Sequence, residues 1–203
     1  MTFSRIVAAA FVLFLVGAAH AQRAPQVAVR GTIEAIAVDG ASLSVHTRSG
    51  EAATVRLKPT TSVTLVVAAT LADVKPGSFI GVAALPGAGG VQNALEVHIF
   101  PESMRGVGEG FRPFDLEPGS TMTNGAVAAS VDSVDGPRLT ATYQGGQQTI
   151  VVGKTTPIVT LAPGTRDDLK AGAAIVARAA KATDGVYDAG RILVGKDGLT
   201  PPM

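Results

Sequence analysis

The chain of 203 residues has no cysteine and no tryptophan, only 2 tyrosines and 3 histidines, and almost no surplus of charge. Without cysteine there is no disulfide, no thiolate metal site and no cysteine nucleophile, so the fold must stand on its apolar core. The net charge of +1 falls to zero once Arg5 leaves with the leader described below. That balance argues against nucleic acid, which demands a basic face, and equally against polybasic attachment to anionic lipid. Long helix-forming stretches are also scarce. What is abundant is 24 Gly and 12 Pro, together with Val and Thr, a composition suited to short strands and tight turns.

One apolar run stands out, IVAAAFVLFLVGAA at residues 6–19. It is shorter than the roughly 20 residues a membrane-spanning helix needs. Arg5 precedes it, and Ala19-His20-Ala21 follows as a small-x-small site. The pattern predicts a signal peptide over 1–21, cleaved before Gln22, and a periplasmic or secreted product. No Cys stands at the cleavage point, so lipid attachment of the lipoprotein kind is excluded.

Internal similarity is the strongest signal in the remainder. Arg30-Gly31-Thr32-Ile33-Glu34-Ala35 leads into Asp39-Gly40, as Asn124-Gly125-Ala126-Val127-Ala128-Ala129 leads into Asp135-Gly136. Leu43 then matches Leu139, Gly50 matches Gly146, and Val55 matches Val151. Leu71-Ala72-Asp73-Val74-Lys75-Pro76-Gly77 answers Arg166-Asp167-Asp168-Leu169-Lys170-Ala171-Gly172 at an offset of 95. Within each copy, apolar and polar residues alternate with period two (Leu43, Val45 against Ser44, His46; Val55, Leu57 against Arg56, Lys58), the mark of strands with one buried face. Pro76 and Gly77 end a short helical turn. The expected fold is all-β, with two tandem small OB/SH3-like barrels of five or six strands and one helical turn each. The first covers 22–100 and the second 124–198. A Gly/Pro-rich connector occupies 101–123, and a frayed tail 199–203. Three of the 7 Phe, namely Phe100, Phe111 and Phe114, lie in or beside the connector. A free linker has no use for them. With Met104, Arg105 and Arg112 they are expected to clamp the barrels together or to contact a partner.

Chemical motifs are few. Gly153-Lys154-Thr155 lacks the earlier glycine of a phosphate-binding loop, since Gln148 stands there. Gly106-Val107-Gly108-Glu109-Gly110 does not open a βαβ unit. No nucleophile elbow or catalytic triad is present, no cofactor motif occurs, and the chain is read as no enzyme. Asp167 and Asp168 sit at the helical turn, a structural place for Asp. The best metal-ligand set is Glu96, His98 and Glu102: Glu96 and His98 share a strand face, and one imidazole with two carboxylates suits Zn²⁺ or Cu²⁺ if a fourth group joins. The competing reading is a wet strand face with a solvated His, and His46 is read in that way too.

The series Leu71-Ala72-Asp73-Val74-Lys75-Pro76-Gly77 and Ala94-Leu95-Glu96-Val97-His98-Ile99-Phe100-Pro101-Glu102 resembles a domain-of-unknown-function family of secreted bacterial proteins, members of which often carry the label "metal ABC transporter permease". The resemblance implies a tandem β-barrel and no established activity. A permease needs several apolar spans of about 20 residues, and none follows the leader. Where such relatives carry His after Gly-Glu-Gly and Trp after Arg-Pro, this chain has Phe111 and Phe114. Three functions follow as expectations. The leading one is a non-catalytic extracytoplasmic binding or assembly module for an envelope protein or small ligand. Behind it stand a metal-handling envelope accessory and, last, an envelope-polymer hydrolase without nominated residues.

Overall fold

The computed structural model describes residues 25–131 and 136–203, so the leader at 1–21 and the turn position Asp135 lie outside the described residues. The strands are β1 (Gln26–Ile36), β2 (Ser42–Thr47), β3 (Ala52–Ala69), β4 (Phe79–Pro86), β5 (Gln92–Ile99), β6 (Gly110–Pro113), β7 (Thr121–Val131), β8 (Arg138–Tyr143), β9 (Gly146–Val151), β10 (Ile158–Pro163), β11 (Ala174–Lys181) and β12 (Tyr187–Gly195). Helical structure among the described residues is limited to 3₁₀ turns of three residues. The protein is all-β, and no described helix is long and apolar enough to cross a membrane.

The predicted alternation is visible in β2 and the start of β3, where Leu43, Val45 and Val55 are fully buried while Ser44 and His46 are exposed. These strands belong to a closed five-stranded barrel. In it β1 pairs antiparallel with β2 and β11, β2 with β3, and β11 with β12, and a parallel β12–β3 contact completes the ring. A second ring joins β4 to β5 and β7, β7 to β8 and β8 to β9. It closes through a short parallel contact in which Gln92 faces Ile150 and Asn93 faces Val151.

Ring membership departs from the division at 22–100 and 124–198. Each ring takes three consecutive strands from one half of the chain and two from the other. The cause is the length of β3, 18 residues against 6 in β2, or about 60 Å of extended chain. Its first half pairs with β2. Beyond the corner at Pro59-Thr60-Thr61 its second half keeps β12 on one edge and takes β10 on the other, with Val66 opposite Leu161. The chain thus emerges beside the other ring, where β4 and β5 are laid down. In the second half of the chain the same path is broken into β9 and β10 around Gly153 and Pro157, and it delivers β11 and β12 to the first ring. Strand β10 also pairs parallel with β5, so both rings share one continuous sheet.

The crossings carry matching turns. Thr70 N–H donates to Asp73 Oδ2 at 2.8 Å and Thr165 N–H to Asp168 Oδ2 at 2.7 Å, each closing a capping box. Val74 and Leu169 follow and drop into the cores of the rings they enter. Val55 faces Tyr187 and Ile150 faces Gln92, so the spacing at this strand is 95, and Val55 corresponds to Ile150 rather than to Val151.

Each ring has its own core, built on Ile33, Leu43, Val55, Ile175 and Ile192 in one and on Ile80, Val82, Leu139 and Ile150 in the other. A third core lies between them and contains Val66, Phe79, Phe100, Leu161, Leu193 and Met203. The tail at 199–203 is therefore docked, not frayed. Met203 is buried in the middle core, and its main-chain oxygen accepts from Arg30 Nε at 3.1 Å, while Pro201 O accepts from Arg48 Nη2 at 2.6 Å. The connector is likewise more ordered than a loop, for β6 pairs antiparallel with β7.

Two measurements check this architecture. Fragments 22–100 and 121–203 produced separately should lack cooperative unfolding and regain it on mixing, because neither contains a closed ring; a cooperatively folded 22–100 fragment contradicts the exchange. Met203→Ala should cost about 2–3 kcal/mol in a urea melt, the usual loss for a buried methionine, whereas a free tail would show no change.

Candidate functional site

Strand β5 points Val97 into its ring and Glu96 and His98 outward. In an isolated barrel that outward face would be wet. Here the first ring and the connector cover it, leaving Glu96 0% and His98 6% exposed. The solvated reading of His98 is thereby corrected. His98 Nδ1 lies 3.1 and 3.2 Å from the two oxygens of Glu96, and the ring stands edge-on to Phe100 with centroids 4.6 Å apart. With Nδ1–H donated to the carboxylate, Nε2 is the free position of the imidazole. It sits over Gly81, the cross-strand partner of His98. A Cβ at residue 81 would lie 2.1 Å from His98 Nε2 and 2.9 Å from Asn124 Oδ1, so only glycine admits the imidazole there. Asn124, on β7, donates from Nδ2 to Val107 O at 2.9 Å. Its Oδ1 is buried and has no hydrogen-bond partner among the described residues.

These groups border a cavity of about 160 Å³ at the seam between the rings. Its apolar wall includes Phe100, Met122, Leu161 and Leu193, and its polar wall His98, Asn124, Arg112, Arg178 and Arg191. Arg178 and Arg191 face each other across the β11–β12 hairpin, an arrangement that like charges disfavour. Arg178 Nη1 lies 3.3 Å from Asp115 Oδ2, and Arg30 Nη2 donates to Asp115 Oδ1 at 2.9 Å. Both guanidinium groups stand over the Phe114 ring, at 5.3 Å for Arg178 and 6.0 Å for Arg30. Arg112 donates to Gly108 O at 2.7 Å, and Arg191 makes no hydrogen bond or ion pair among the described residues.

The electrostatics follow from burial. Desolvation lowers the proton affinity of Arg178 more than Asp115 restores it, and Arg30 lowers it further. Arg112 is lowered by burial and then by the charge of Arg178. Burial pushes the Asp115 carboxyl up, but the hydrogen bond from Arg30 and the charges of Arg178 and Arg30 together hold it below the usual carboxylate range. Arg112, Phe114 and Arg178 also border a wider cleft of about 630 Å³ shared with Gln26, Pro113 and Asp115.

The metal trio is not assembled. Glu102 is exposed and bound to Arg105, whose Nη2 also donates to Gly77 O at 2.9 Å. Among the described residues no group of three His, Asp or Glu is placed to hold a metal ion. Of the connector aromatics, Phe100 is buried in the middle core, and Phe114 reaches from the β6 side to arginines of the first ring. Phe111 is 42% exposed on β6 and joins neither. Met104 packs against the middle core, and Arg105 stands over Phe79 at 5.9 Å. His46 is half exposed, 3.7 Å from Glu34.

Sequence reasoning missed Asn124, Asp115, Arg178, Arg191 and Gly81. One signal was available: Arg191 stands at the position matching Glu96, and counting back from the Gly185 turn sets it against Arg178. No protein-family model matches the chain, and comparison with curated proteins and with solved structures found no match.

Gly81→Ala should displace the His98 imidazole and cost about 1–3 kcal/mol, the range for overpacking a filled site. The expected signs are a lower melting temperature and shifted His98 ring resonances; unchanged values for both would mean that His98 is not seated over residue 81.

Proposed function

We propose that the chain is a non-catalytic binding module acting outside the cytoplasm, with the seam cavity as its ligand site. The observation that carries this reading is the unsatisfied polar wall: a buried amide oxygen on Asn124 without a partner and, lining the same cavity, Arg191, which has none among the described residues either. Buried polar groups are ordinarily satisfied within a fold. Where several converge on an otherwise apolar hollow, a ligand supplies the missing partners. Action outside the cytoplasm rests on the leader at 1–21.

The same reading takes the mature chain as a duplicated OB/SH3-like unit. The recurrence at 95 supports it: Asp73 and Asp168 cap equivalent turns, and Gly77 and Gly172 both hold a left-handed backbone, at φ 83° and 84°. The metal-handling alternative loses its basis with Glu102 turned to Arg105. For a hydrolase, Glu96 and His98 offer an oriented base, but no hydroxyl is hydrogen-bonded to it among the described residues.

A thermal-shift screen of mature protein against classes of small metabolites tests the proposal. At least one class should raise the melting temperature at concentrations well above its Kd, and Met122→Phe, which fills the cavity, should abolish the shift while remaining folded. No stabilising class, or full retention of the shift in Met122→Phe, would remove the seam from consideration.

A further inference from the structure

The seam cavity has a marked excess of positive charge. Three guanidinium groups line it, those of Arg112, Arg178 and Arg191, and the one side-chain carboxylate next to them, Asp115 of the adjoining cleft, is already divided between Arg178 and Arg30, which stands outside the cavity. Glu96 does not border the cavity; its wholly buried carboxylate lies against His98 Nδ1. Arg112 is left with one backbone carbonyl and Arg191 with no partner among the described residues. Partly buried cations held beside one another without counter-charge are unfavourable, and an anion between them reverses the sign of the interaction.

The rest of the wall limits the kind of anion. Phe100, Met122, Leu161 and Leu193 present carbon to the cavity. Its volume of about 160 Å³ equals roughly five waters at ~30 Å³ each, close to a cavity that accepts benzene. A bare inorganic oxyanion would leave most of that apolar surface wet. Guanidinium forks match the planar two-oxygen geometry of a carboxylate. The wider cleft bordered by Arg112, Phe114 and Arg178 gives a route in from solvent.

We infer that the seam binds a small organic carboxylate, its charged end held by Arg191 with Arg112 and Arg178, and its compact apolar body laid against Phe100, Leu161 and Leu193. This rests on the proposal that the seam is a ligand site and names the chemistry of what enters it. Asn124 Oδ1 and His98 Nε2, both close to the position a Cβ would take on Gly81, belong to residues that line the same cavity.

Calorimetric titration of mature protein with benzoate, benzyl alcohol and inorganic phosphate, repeated on Arg191→Gln, tests the inference. Benzoate should bind saturably at one site, at least tenfold more tightly than either benzyl alcohol or phosphate, a gap of about 1.4 kcal/mol or more. Arg191→Gln should weaken benzoate tenfold or more without lowering the melting temperature, since the substitution also relieves the repulsion with Arg178. Benzyl alcohol binding as tightly as benzoate would show a neutral-ligand cavity: the carboxylate inference falls and the binding-module proposal survives. Phosphate binding as tightly would refute the apolar body. Absence of benzoate binding overturns the inference, and the metabolite screen then decides separately whether the seam binds anything at all.

Discussion

The antiparallel contact of β3 with β10 is the constraint on which the remaining architecture depends. Strand β3 is too long to end inside one small ring, and the hydrogen bonds of its far half are made with a strand nearly a hundred residues away, Val66 against Leu161. Backbone donors and acceptors buried at that depth must be paired. That pairing brings two rings edge to edge and hands each half of the chain over to the other ring. The hydrophobic layer of Val66, Phe79, Phe100, Leu161, Leu193 and Met203 then fills the space so created.

Burying the outer faces of two barrels against each other has a chemical consequence. Residues that alternate outward along the covered parts of β5, β7, β11 and β12 lose much or all of their contact with water, and each polar one must find a partner or carry a desolvation penalty. Glu96 and His98 satisfy each other. Asp115 satisfies Arg30 and Arg178 in part, with Phe114 beneath both. Asn124 Oδ1 and Arg191 are left over, both lining the same hollow. A structural seam with no further role would be expected to carry apolar residues at those positions, as it does at Leu193, which matches His98 by the spacing of 95.

Local features were legible in the sequence to the extent that local physics produces them. The alternation at Leu43, Val45 and Val55, the turns after Asp73 and Asp168 and the stop at Gly77 depend on a few neighbouring residues, and the strands and 3₁₀ turns fall where those signals place them. The clamp was half legible, since aromatic side chains in a Gly/Pro-rich stretch must bury somewhere, yet nothing in the residue types distinguishes buried Phe100 from exposed Phe111. The candidate site was barely legible. Glu96 and His98 could be seen to share a face, but their surroundings come from β11 and β12, which approach only because of the strand exchange.

By itself the sequence determined that the described chain would be all-β, with period-two cores, turns at fixed glycines and one spacing running through both halves, because each of these follows from side-chain size, backbone freedom and alternation over short stretches. Only the tertiary structure decided which strands close which ring, that the last residues are docked and that the polar outer faces meet around a hollow. Those outcomes depend on pairing between distant segments, and alternation is blind to it: a strand whose outer face meets water and one whose outer face meets another barrel can carry the same pattern until the partner arrives.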